Sequence, residues 1–209
     1  ISAVAGGALA WLGIAAARRV GLPVFLVENF TWDWIYRHHD GRTPALLRHA
    51  DRLEEVFDRV DLRIQAEPAC QPQPTACQVG PVARRAREPA ASVRRRLGID
   101  PDERMVLVSM GGVRWSYAAL DAVCDAKHVV FVVPGTGDLA DRQGALLRLP
   151  YRGAIHHPDL VRASDLVIGK LGYSTVAEVA HYGRRFLFLR RPAFPESPVL
   201  EAYVRRLLP

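Results

Sequence analysis

The chain has 209 residues, 49% of them apolar, 24% charged and 8% aromatic. That ordinary globular composition excludes collagen-like, disordered and disulfide-scaffold classes, and it allows one large or two small domains. The net charge of +6 raises the question of a nucleic-acid partner, but Lys127 and Lys170 are the two lysines and the arginines are scattered in twos and threes. With no clustered basic stripe and no interleaved aromatics to stack bases, the charge reads as solvated surface and no nucleic-acid partner is expected.

Cys70, Cys77 and Cys124 are odd in number and have no CxxC spacing, so neither a zinc site nor a disulfide framework is indicated. A reduced, cytoplasmic setting fits this usage. The uncharged run to Ala17 falls short of the roughly 20 apolar residues that a bilayer core requires, and no basic region precedes it as in a signal peptide. It reads instead as a buried helix, Ala3 to Val20, with Arg18 and Arg19 at its carboxyl end and Gly21 closing it. A domain opening on a buried helix implies an internal fragment of a longer protein.

From there strands and helices alternate. LPVFLVEN has the near-continuous apolar character of a strand covered on both faces. An aromatic loop, Asn29 to Tyr36, precedes a helix from Pro44 to about Val60 and a strand DLRIQAE. Residues 68–81, with four prolines among them, read as a linker between residues 1–67, a partial first domain, and residues 82–209. The second part should hold a helix from Glu88 to Leu97 and a turn at Asp100-Pro101-Asp102. Strands MVLVSM and HVVFVVPG follow, with a helix from Ser116 to Cys124 between them. After an irregular stretch and a short strand come a helical turn from Pro158 to Ala163 and a strand DLVIGK. A helix from Ser174 to Tyr182, a strand RFLFL and a last helix from Ser197 to Leu208 complete the chain. This alternation predicts an α/β fold with a parallel, doubly wound sheet in each half.

Ligands of such sheets sit just beyond the carboxyl ends of strands. Two loops qualify. After MVLVSM, Gly111 and Gly112 would let backbone N–H groups approach an anion, although a tight turn without a ligand explains a lone glycine pair equally well. After DLVIGK, Gly172 makes a turn into a helix capped by Ser174 or Thr175. Its amino terminus would face a phosphate, and Glu178 would lie one turn on, placed to meet a diol or to complement the helix dipole.

The segment IHHPDLVRASDLVIGKLGYSTVAEVAHYGRRFLFLRRPAFPE, with QVGPVARRA and VLVSMGG before it, resembles the carboxyl-terminal nucleotide-sugar-binding domain of GT-B glycosyltransferases, family 28. ENFTWDWIY and the pairing of GKLGYSTVAE with RRPAFPE are closer still to the glycosyltransferase-like amino-terminal part of L-arabinokinase proteins. The resemblance runs from about Ala10 onward and implies a two-domain fold of Rossmann type, the first domain incomplete. By it, Glu178 would hold the ribose of a UDP-type donor, and Gly172, Ser174 and Thr175 would face its diphosphate. Gly111 and Gly112 would line the cleft, main chain at Ile155 and His156 would meet the nucleobase, and Arg191 and Glu196 would read the donor sugar. Lys170 stands where the motif of the family 28 peptidoglycan N-acetylglucosaminyltransferases has an arginine, keeping charge but losing the bidentate fork. Phe194-Pro195-Glu196-Ser197-Pro198 replaces the family's paired glutamines.

The implied reaction is sugar transfer to a hydroxyl acceptor. No metal or cofactor is implied, and Asp100-Pro101-Asp102 precedes a strand and is explained by turn chemistry. The family's usual base lies in glycine-rich amino-terminal loops that this sequence lacks, leaving Asp33 as a candidate. Trp32 and Trp34 could stack on a sugar or simply be buried. The pairs His38-His39 and His156-His157 could be catalytic, or each could be one packed and one solvated ring. The competing function is a non-catalytic module that binds a nucleotide or nucleotide sugar.

Overall fold

The computed structural model describes residues 3–5, 10–111, 118–136, 138–150 and 155–207. The chain divides into two compact units, residues 1–82 with 191–203, and residues 83–190 with 204–209.

The first unit holds β1 (Ala3–Ala5), α1 (Ala10–Arg19), β2 (Val24–Glu28), α2 (Trp32–His38), α3 (Pro44–Phe57), β3 (Leu62–Ala66) and β4 (Cys77–Val79). Its four strands lie in chain order and are all parallel. The opening segment thus differs from the single helix expected: a strand pairs with β2 before a ten-residue helix begins. That helix does end as anticipated. Leu22 N–H returns to the Ala17 carbonyl and Gly21 N–H to that of Arg18, the hydrogen bonds of a Schellman cap. Ala10, Ile14 and Ala17 recur on one helix face and bury against Val24, Leu26 and Phe57. Thr43 caps α3 by accepting from Leu46 N–H at 3.2 Å.

One further expectation is corrected by the structure. The aromatic segment expected as a loop contains α2, entered from an extended Thr31. The proline-rich residues 68–81, which close just before the first unit gives way to the second at Val82, contain β4 and are organised around a buried side chain. The Gln65 amide donates to Glu28 Oε1 and to the Gln71 carbonyl, and its oxygen accepts from Gln73 N–H and the Gln78 amide. All of its capacity is used inside the unit, so the prolines break regular structure without detaching the segment. Cys70, Cys77 and Cys124 are free thiols.

The second unit holds α4 (Ala90–Arg96), β5 (Arg104–Ser109), a 3-10 turn (Ala118–Val123), β6 (Val129–Pro134), β7 (Asp141–Gln143), β8 (Leu146–Leu149), α5 (His157–Ala163), β9 (Leu166–Lys170), α6 (Tyr173–Tyr182) and β10 (Arg185–Leu189). The last helix, α7 (Ser197–Leu207), begins in the first unit. The 3-10 turn replaces the α-helix expected from Ser116 to Cys124, and Ser116 itself lies outside the described residues. The strand order is β10-β9-β5-β6-β8-β7. Five strands are parallel, and β7 adds an antiparallel edge within the stretch expected to be irregular.

Along β5 the side chains alternate between two cores. Met105 and Leu107 pack with Val93, Val130, Val132, Leu160 and Val167, while Val106, Val108 and Met110 pack with Val133 and Leu146. Both sheet faces are therefore covered, which is why the strand reads as an unbroken apolar run. From β5 the sheet grows outward in two directions, through β6 and β8 on one side and through β9 and β10 on the other. The chain reverses its direction of winding between β5 and β9, the position where sheets of this kind open a crevice.

The two strands approach closely. A methyl group on Gly169 would stand 2.6 Å from the Ser109 carbonyl oxygen, a backbone atom that cannot swing aside. Gly169→Ala is expected to destabilise the chain by about 1–3 kcal/mol through overpacking. Urea unfolding measures this, and an unchanged midpoint would contradict the close approach.

Candidate functional site

At the reversal point, Ser109 in β5 is in register with Gly169 in β9, so the loops that follow the two strands emerge side by side. Gly111 has φ +66°, a left-handed conformation that favours glycine, and a methyl group there would stand 3.0 Å from Cε and 3.3 Å from Nζ of Lys170. The lysine stem therefore lies over the glycine loop. Gly112 lies outside the described residues.

Beyond Lys170, α6 starts one residue earlier than expected. Gly172 occupies the cap position in extended conformation and makes no side-chain cap bond, so the expected capping role of Ser174 or Thr175 is not realised. Both residues sit in the first turn, Ser174 exposed and Thr175 half-buried, and the space beside Gly172 is open. The helix start presents a hydroxyl and first-turn N–H groups, where the dipole favours an anion. Ile155 and His156 are half-buried just before α5, with His156 at its cap position.

Glu178 falls in the second turn of α6 rather than the first. It is 1% exposed. Its Oε1 accepts from Arg84 Nε at 2.7 Å, and its Oε2 accepts from His157 Nδ1 at 3.0 Å. Burial alone would raise its pKa, but the hydrogen bonds from His157 and Arg84 outweigh that and hold it below the ordinary value of 4.5. On the far side of the ring, His157 Nε2 meets Ser109 Oγ at 2.9 Å. Arg84 is carried by an irregular segment fastened to α5 and α6. Asp159 accepts from the N–H groups of Arg87 and Glu88, and the Tyr182 hydroxyl accepts from that of Ala86. Composition and spacing do not pair Arg84 and His157 with Glu178, because the three come from separate segments; the signals present are an arginine pair after Gly80-Pro81 and a histidine pair before Pro158.

The remaining candidates lie in the first unit. Arg191 stacks its guanidinium 4.1 Å above the Phe194 ring, and Glu196 accepts from Asn29 Nδ2 at 2.7 Å. Glu196 is buried, which pushes its pKa up. Near Asn29, at the carboxyl end of β2, burial and then the Asp33 charge push Glu28 up as well, partly offset by Gln65 and Arg63. Asp33 is 7% exposed, and its Oδ1 has no hydrogen-bond partner among the described residues. Trp34 is buried and stacks on His38, whose Nδ1 donates to the Trp34 carbonyl. Trp32, half-buried, packs edge-on to Phe30. Among the described residues no group of three or more His, Cys, Asp or Glu side chains is placed to hold a metal ion. No described helix is long and apolar enough to cross a membrane.

The depressed pKa of Glu178 sets a pH dependence. A carboxyl that holds its proton less tightly when folded adds stability above its unfolded pKa, and loses it as pH falls from about 4.5 through the folded value. Glu178→Gln should therefore lower thermal stability at neutral pH and flatten the acid limb of the melting-temperature profile. An unaltered acid limb would contradict the ion pairs described.

No family model matches the chain. An L-arabinokinase of Arabidopsis thaliana is 30% identical over 200 residues, covering 88% of this chain and 18% of that protein. Among solved structures, Arabidopsis thaliana UGT89C1 complexed with UDP-L-rhamnose matches with a TM-score of 0.64 at 16% identity, over 99% of this chain and 57% of its own. Acinetobacter baumannii MurG matches with a TM-score of 0.54 at 19% identity, over 98% of this chain and 57% of its own. The chain thus spans less than a fifth of the curated relative and a little over half of each of these two structures. With a parallel sheet in the first unit and a doubly wound, mostly parallel one in the second, the chain has the fold of the GT-B glycosyltransferases.

Proposed function

We propose that this chain supplies the nucleotide-sugar site of a glycosyltransferase that moves a sugar from a UDP-type donor to a hydroxyl acceptor. The observation that carries the reading is the meeting of two loops at the β5–β9 reversal. Lys170 lies over Gly111 beside a helix start that has an exposed hydroxyl and open space at Gly172. In this reading the donor diphosphate rests on the first turn of α6, at Gly172, Ser174 and Thr175, with the Lys170 ammonium beside it and Gly111 below the lysine stem. Main chain at Ile155 and His156 meets the base and Glu178 meets the ribose, while for the donor sugar the resemblance names Arg191 and Glu196, which belong to the first unit.

In the transfer, the bond from the sugar anomeric carbon to the diphosphate oxygen breaks, and a bond from that carbon to the acceptor oxygen forms. The acceptor proton passes to a carboxylate, for which Asp33 is the candidate, with Glu28 as its neighbour. Charge gathering on the departing diphosphate is met by helix N–H groups and Lys170, fixed donors that need no reorganisation as the bond breaks. A second reading, a module that holds the nucleotide without transferring its sugar, is favoured by one feature: Glu196 is buried and already bonded to Asn29.

Calorimetric titration with UDP should give saturable binding that Glu178→Ala weakens by about tenfold or more, the loss of a charge-assisted hydrogen bond. Salt-sensitive oligonucleotide binding without a nucleotide site would contradict both readings. Sugar transfer from a UDP-sugar to a hydroxyl acceptor, assayed with the chain, would decide between them.

A further inference from the structure

The two oxygens of Glu178 are held in different ways. Oε2 faces His157, whose ring is gripped between Glu178 and the buried Ser109 hydroxyl. Oε1 faces Arg84, a long side chain from an irregular segment that is 56% exposed, against 25% for the side chain of His157. An ionised carboxylate only accepts hydrogen bonds, so His157 Nδ1 carries the hydrogen and donates to Glu178, while Nε2 is bonded to the Ser109 hydroxyl. Three separate elements, the end of β5, the start of α5 and the second turn of α6, are thereby joined in one hydrogen-bonded chain.

One oxygen is consequently fixed from within, and the other is exchangeable from outside. A ligand hydroxyl can replace the solvated arginine at Oε1 without disturbing the ring at Oε2. Each carboxylate oxygen has about two accepting directions, so Oε1 can serve adjacent hydroxyls of one diol. A ligand lacking one of those hydroxyls would remove Arg84 and leave a buried lone pair unsatisfied, the situation in which a polar site rejects an analogue most strongly.

We infer that His157, seated by Ser109, is a positioning residue that orients Glu178 toward a vicinal diol and makes the site selective for ribonucleotides over 2′-deoxyribonucleotides. Arg84 is the exchangeable partner that covers the carboxylate until a diol arrives. This rests on the reading that Glu178 meets the ribose, and it adds which groups aim the carboxylate and which nucleotide class the site refuses.

The test compares UDP with 2′-deoxyUDP by calorimetry on the 209-residue chain. The wild-type chain should bind UDP about tenfold to a hundredfold more tightly than 2′-deoxyUDP. His157→Ala should bring that ratio to within about threefold, chiefly by weakening UDP, since the freed carboxylate can turn away. His157→Asn, whose amide can donate from nearly the position of Nδ1, should restore much of the ratio, which a merely structural role for the ring would not predict. Circular dichroism melts establish that each variant is folded, and if His157→Ala is not, the His157→Gln ratio is compared with that of His157→Asn. Loss of the ratio in Glu178→Gln with full retention in folded variants that lack the Nδ1 donor would overturn the role of His157 while leaving the ribose reading intact. Retention of the ratio in Glu178→Gln, or no saturable UDP binding, would overturn both.

Discussion

β5 and β9 run parallel and so close together that the Ser109 carbonyl occupies space that any side chain at position 169 would need. This single approach fixes much of the geometry around it. It puts the ends of the two strands in register, so the Gly111 loop and the Lys170 loop leave the sheet together. It also holds Ser109 where its hydroxyl can reach His157 on the adjoining helix. The sheet order then makes the same place the reversal point of a doubly wound fold, where helix starts and strand ends face a common crevice.

Burial acts on the carboxyl groups with one sign and their hydrogen-bonding partners with the other, and the balance separates Glu28 and Glu196 from Glu178. Glu28 meets the Gln65 amide and, more distantly, Arg63, and Glu196 is buried against the Asn29 amide; at both, desolvation outweighs the partners, so each holds its proton more tightly than in water. Glu178 is buried too, yet an arginine and a histidine donate to it directly, and its proton is held less tightly. A buried ionised carboxylate survives only with such partners, because an uncompensated charge in that setting costs several kcal/mol by the usual order of magnitude. The pairing has a structural consequence as well. Arg84 and His157 belong to segments far from α6 in the chain, and meeting at Glu178 ties both of them to that helix.

The central strands of the second sheet were legible in the sequence because they are covered on both faces, which leaves long apolar runs such as MVLVSM and HVVFVV. The alternation of those runs with helical patterns was enough to give the fold class. The opening helix was overextended because a stretch of alanine and glycine carries no period to separate a short strand from a helix. The proline-rich segment that ends just before the division between the units was legible from its composition; its internal order was not, because the single residue that organises it, Gln65, looks like any other polar residue of a strand. At the site, the turn at Gly172 and the helix behind it were readable from a glycine followed by hydroxyl residues. The cap itself was not, since either Gly172 or Ser174 can begin the helix and packing decides between them. The hydrogen-bonded chain from Ser109 through His157 to Glu178 depends on contacts between residues 21 to 48 positions apart, which no local pattern encodes.

If the first turn of α6 is an anion seat completed by Lys170, as proposed, a crystal structure of the chain with UDP will show diphosphate oxygens within hydrogen-bonding distance of the Ser174 and Thr175 N–H groups, with the Lys170 ammonium alongside. Diphosphate density elsewhere on the chain, with the first turn of α6 unoccupied, would contradict it.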